Sequence, residues 1–76
     1  MKELDLHGLY RHEVRDAVEN FILVNSKELP IRIIVGNSTF MRNLTKNILE
    51  HYKYQYEVPA HNPGEVVVVF DNEYKL

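Results

Sequence analysis

The run Val66-Val67-Val68-Val69-Phe70 constrains this chain more than any other feature, because five consecutive apolar residues leave a strand no polar face. A half-buried strand alternates apolar and polar residues. An unbroken apolar strand wants neighbours on both sides and cover on both faces. A chain of 76 residues buries only about 60% of its unfolded surface, so its core is thin. The valine-rich strand therefore belongs at the centre of a sheet.

The rest of the chain divides readily. Lys2 to Leu6 reads as a first strand, closed by a turn at Gly8-Leu9-Tyr10-Arg11. His12 to about Val24 carries Val14, Ala17, Val18, Phe21 and Ile22 at the spacing of an amphipathic helix. Asn25-Ser26-Lys27-Glu28 closes that helix, and Pro30 opens a second strand, Ile31 to Val35. Gly36-Asn37-Ser38 is the next turn, with Asn37 or Ser38 as the cap of a second helix bearing Met41, Leu44, Ile48, Leu49 and Tyr52 on one face. Lys53 to Val58 alternates as a third strand, placing Tyr54, Tyr56 and Val58 together. Pro59 to Gly64 is a loop, and Glu65 to Phe70 is the fourth strand.

The expected fold is an α/β two-layer sandwich of one domain, residues 1–76, with element order β-α-β-α-β-β. Strands joined through a helix run parallel with right-handed crossovers. The first three strands then point one way and the fourth returns antiparallel. Placing the second and fourth strands centrally gives a four-stranded mixed sheet of order 1-2-4-3, with both helices on one face. A polar or empty second face is at odds with the apolar fourth strand, so a homodimer contact or the chain termini are expected to cover it.

This topology gathers His7-Gly8, Gly36-Asn37-Ser38 and Ala60-His61-Asn62-Pro63-Gly64 at one edge of the sheet. Two helices begin there, and helix N-termini offer unpaired N–H groups and a positive dipole end that suit phosphate. Arg11 and Arg42 can reach the same edge. Side-chain alternation puts Asp5 and His7 on one side of the first strand and Leu4 and Leu6 on the other. The formal charge of −2 does not announce a nucleic-acid binder, so any such contact needs a local basic patch. There is no cysteine, which removes disulfides and thiolate metal sites. No signal-like segment or membrane-length apolar run is visible, so a soluble, cytoplasmic protein without membrane partners is expected.

Leu4-Asp5-Leu6-His7-Gly8-Leu9, Glu13 opening a helix, Ile33-Ile34-Val35-Gly36 before a second helix, and Gly64 ahead of a valine-rich strand resemble a small MutS-related (Smr) domain. The resemblance spans essentially the whole chain. It implies a sandwich similar to the C-terminal domain of translation initiation factor three, binding to RNA or DNA and, as in several members, endonuclease activity. It carries Asp5 and His7 over as the catalytic pair. The family's second motif, His or Thr followed by Gly-x-Gly, maps onto Val35-Gly36-Asn37-Ser38, where only Gly36 matches. Tyr10 stands where the family often has Thr, so the capping box with Glu13 is expected to be lost.

The chemistry of such a site is concrete. An imidazole exchanges protons near neutral pH, so His7 can act as general base or acid, or simply occupy a turn. Asp5 can orient that imidazole, hold a divalent cation such as Mg²⁺ alone or with substrate phosphates, or cap the turn. Gly8, Arg11, Gly36, Asn37, Ser38, Arg42 and His61 are the candidate phosphate contacts. Tyr54 and Tyr56 can stack bases or cover the core. A docking module for structured RNA or a nucleoprotein, without catalysis, is the alternative function. An adaptor with no nucleic-acid role is a third.

Overall fold

The computed structural model describes residues 1–71. Its elements are β1 (Glu3–Asp5), α1 (Arg11–Val24), β2 (Ile31–Ile34), α2 (Thr39–His51), β3 (Tyr54–Glu57) and β4 (Glu65–Asp71). The sheet has four strands in the order β1-β2-β4-β3, as the sequence predicts. β1 runs parallel to β2, while β4 is antiparallel to both β2 and β3.

The register assigns the two faces. Ile31 pairs with Val68 and Ile33 with Val66, and all four side chains are fully buried. Leu4 lies beside Ile33, and Leu6 continues onto the same buried side. Val14, Val18 and Ile22 of α1 and Ile48 and Leu49 of α2 close over this face. On the opposite parity, Arg32, Ile34, Val67 and Val69 are only half-buried. Both helices therefore cover one face, and residues 72–76, part of the termini expected over the other face, lie outside the described residues. Val67 stands between Arg32 and Glu57 in the ladder, whose methylene stems can shield an apolar neighbour.

An ion-pair network ties that open face together. Arg32 Nε meets Glu3 Oε1 at 3.0 Å and Arg32 Nη1 meets Glu65 Oε2 at 3.5 Å. One guanidinium thereby links β1, β2 and β4. These groups are partly exposed, so the network contributes little to stability, on the order of 1 kcal/mol or less per pair.

Element ends depart slightly from the sequence reading. Lys53 belongs to the close of α2 and not to β3: its φ is 68° and its N–H donates to the Glu50 carbonyl. A left-handed residue just past a helix satisfies a terminal carbonyl and is not itself extended, so the strand begins one residue later. β1 is shorter than Lys2 to Leu6, yet the Lys2 carbonyl and the Leu6 N–H still bond to β2. Val35 lies just past the end of β2, yet its N–H still donates to the Gly64 carbonyl at 2.8 Å and carries the β2–β4 register one pair further. The side chain of Asn25 donates to the Phe21 carbonyl at 2.9 Å and closes α1. No helix among the described residues is long and apolar enough to cross a membrane.

Ile33 and Ile34 are adjacent in sequence and opposite in face. Ile33→Ala is expected to cost about 2–5 kcal/mol of folding stability through transfer and cavity terms, and Ile34→Ala distinctly less. Urea unfolding of both variants measures the difference, and equal losses would contradict the one-sided core.

Candidate functional site

Asp5 and His7 are joined through the main chain. The Asp5 Oδ1 accepts the backbone N–H of His7 at 2.9 Å, an Asx-type turn that bends the strand end. The Leu9 N–H then donates to the Leu6 carbonyl at 3.1 Å, and Gly8 sits in that turn with φ 92°. Positive φ at the third turn position is the type II pattern, which glycine satisfies without a Cβ penalty. No side-chain bond links the Asp5 carboxylate to the imidazole among the described residues. The expectation that Asp5 orients the ring directly is thus replaced by a backbone anchor. His7 itself is exposed.

The second loop is held from the neighbouring strand. The Gly64 carbonyl accepts from both Val35 N–H, at 2.8 Å, and Gly36 N–H, at 3.0 Å. A side chain at position 64 would press on the Gly36 carbonyl, 3.3 Å from where its Cβ would stand. Gly36 N–H is therefore occupied within the fold, and a backbone contact to phosphate at this turn falls to the N–H groups that follow it. Val35 is buried in the core and adds no polar group to the edge. Ser38 is the cap of α2: its Oγ accepts from Met41 N–H at 3.1 Å. Asn37 is exposed beside it.

The third loop turns on Asn62. Its N–H donates to the Pro59 carbonyl at 3.1 Å, and its Oδ1 accepts from Gly64 N–H at 3.3 Å. Its Nδ2 donates to Glu65 Oε2 at 3.2 Å. His61 is exposed on this turn. Two strands separate β1 from β3, so this loop begins ~14 Å from the strand bearing His7. His61 lies on the loop from β3 to β4, along the same edge of the sheet as the end of β1.

The two helix starts meet. Arg11 Cζ lies 4.2 Å from the centroid of the Phe40 ring, joining the first turn of α1 to that of α2. The first N–H groups of each helix have no internal partner by construction. Among the described residues, none is recorded for the N–H groups of Arg11, His12, Thr39 or Phe40. The capping box expected to be lost is half retained. The Tyr10 phenol makes no cap bond, but Glu13 Oε1 accepts the Tyr10 N–H at 3.0 Å.

Tyr54 and Tyr56 face the helices. Tyr54 is buried and its hydroxyl donates to the Ile22 carbonyl at 3.2 Å. The Tyr56 hydroxyl donates to Glu50 Oε2. Burial, then the hydrogen bond and charge of Glu50, push the Tyr56 phenol up to about 12. Both rings serve the core and not base stacking. No group of three His, Asp or Glu side chains that could hold a metal ion comes together among the described residues. Asp5 alone, with one oxygen already engaged, does not build a protein-only cation site, and a cation there would have to arrive with substrate phosphates.

Sequence reasoning named Tyr10 only as a lost cap and did not single out Phe40. The available signals were an aromatic residue in a cap position and a phenylalanine beside the buried stripe of the second helix. No family model matches the chain, and no curated protein or solved structure matches it either.

Two measurements follow. Ser38→Ala is expected to lower stability by about 1 kcal/mol through loss of the cap, read by denaturant unfolding. Tyr56 ionises late, so its contact with Glu50 adds stability in full below pH 10, and that stability is lost as pH rises toward about 12. Alkaline titration of phenolate absorbance should show a late component that Tyr56→Phe removes; completion within the ordinary phenol range would contradict the contact.

Proposed function

We propose that this chain is a nucleic-acid-binding domain of the small MutS-related type, with a sandwich similar to the C-terminal domain of translation initiation factor three. It meets RNA or DNA along the edge formed by the strand ends. The observation that carries the reading is the distribution of paired charge. Lys2, Arg15 and Arg32 are engaged by Glu28, Glu19, Glu3 and Glu65. Arg11 and Arg42, near the two helix starts, have no ion pair among the described residues. An acidic chain that neutralises its other arginines elsewhere leaves two guanidinium groups available beside exposed His7 and His61. Phosphates supply the missing counter-charge.

In this proposal His7 exchanges the proton of phosphodiester cleavage. With RNA, the substrate's 2′-hydroxyl attacks phosphorus as its proton passes to the imidazole, the P–O5′ bond breaks, and the departing oxygen is protonated by solvent. Asp5 acts as a positioning residue through the His7 backbone. Arg11 and Arg42 balance charge on the phosphate. The non-catalytic docking module is favoured by a separate observation: the Gly36 N–H is committed inside the fold.

One assay series decides between them. Purified protein is incubated with labelled single-stranded RNA, structured RNA and supercoiled plasmid, with and without Mg²⁺, beside His7→Ala and Asp5→Asn. Binding is expected to weaken with salt, and Arg11→Ala and Arg42→Ala should each lower the salt slope by about 1. Cleavage lost in His7→Ala supports the nuclease. Cleavage equal in all three proteins signals contamination and removes it. Binding without cleavage selects the docking module, and salt-independent or absent binding overturns the proposal.

A further inference from the structure

Two aromatic side chains stand out among the described residues because the core does not use them. Tyr10 is 71% exposed and Phe40 is 40% exposed. Phe21, Tyr52, Tyr54 and Tyr56 all pack in or against the core. Tyr10 also does nothing for the helix it precedes, since its phenol makes no cap bond and Glu13 supplies the carboxylate instead. A Ser, Thr, Asp or Asn there would cap the helix, so neither packing nor helix formation accounts for a tyrosine.

The ring is also set in place. His12 stacks against it with centroids 5.8 Å apart and planes 8° from parallel. Between them in sequence, Arg11 reaches the other way, onto the Phe40 ring. The result is a surface of flat rings and an unpaired guanidinium on the tips of two helices. Stacked between His12 and solvent, Tyr10 offers a π-face of the kind on which bases settle regardless of sequence. A duplex keeps its base faces against one another, and only an unpaired strand can present one.

We infer that this surface grips unpaired RNA or DNA strands by stacking a base on Tyr10, with Arg11 on the adjoining phosphate. The inference rests on the nucleic-acid reading above and specifies its substrate as single-stranded. Arg11 Cζ lies over the Phe40 ring, and the guanidinium carries five N–H donors, with no carboxylate paired to them among the described residues, that can meet a phosphate oxygen. Stacking and charge thereby come from neighbouring residues of one short segment.

The test is equilibrium binding by fluorescence anisotropy. The probes are an oligouridine RNA, the matching DNA strand, an abasic oligomer of equal length and charge, and a fully paired duplex. Each is measured with the wild type, Tyr10→Ala and Tyr10→Phe, with circular dichroism to verify that the variants are folded. Tyr10→Ala is expected to weaken single-strand binding about tenfold, and Tyr10→Phe to restore it. Abasic and duplex binding, and the salt slope, should not change, because no phosphate contact is removed. The RNA and DNA arms separate the two sources of unpaired bases, and the loss on either supports stacking. Wild-type, salt-dependent binding that is unaffected by Tyr10→Ala overturns the stacking inference and leaves the nucleic-acid reading standing. Failure of the wild type to bind any probe overturns both.

Discussion

Ile31 faces Val68 and Ile33 faces Val66 across the β2–β4 ladder, with all four side chains enclosed. This pairing sets the orientation of everything else. It fixes which parity of each strand meets the helices, so that Leu6 turns inward and Asp5 and His7 outward. It also places the end of β2 against the start of β4, which brings Gly36 and Gly64 into contact. A register slip of one residue would reverse both faces and scatter the edge. The edge that gathers the strand ends is thus a product of core packing and not an independent feature.

Much of this was legible in the chain. Unbroken valines in the fourth strand and β-branched residues in the second identify the central pair, and two apolar stripes identify the helices. The strand order follows from those and from the handedness of crossovers. The glycine at position 8 announces a turn and the Asn37-Ser38 pair a cap, and the structure contains both, with Ser38 as the cap. The cap of α1 was harder, because Glu13 compensates for a residue that cannot cap.

What escaped the sequence depends on contacts between distant residues. Arg32 joins three strands, and Arg11 lies on Phe40, twenty-nine positions away in both Arg32–Glu3 and Arg11–Phe40. Such contacts leave no periodic trace. Alternation showed that Asp5 and His7 share a side, yet it could not distinguish a bond to the imidazole from one to the main chain. Nor could it show that the Gly36 N–H, open in a generic glycine turn, is taken by a neighbouring carbonyl.

That carbonyl has a mechanical meaning. One oxygen of Gly64 holds Val35 and Gly36 together, and Asn62 braces the same residue from the other side. Two loops are thereby fastened at one joint. Whatever lands on them finds a contour already shaped, and little chain freedom remains to be surrendered on contact. A surface of this kind discriminates by fit, and changes to it register in how long a bound molecule stays more than in how often it arrives.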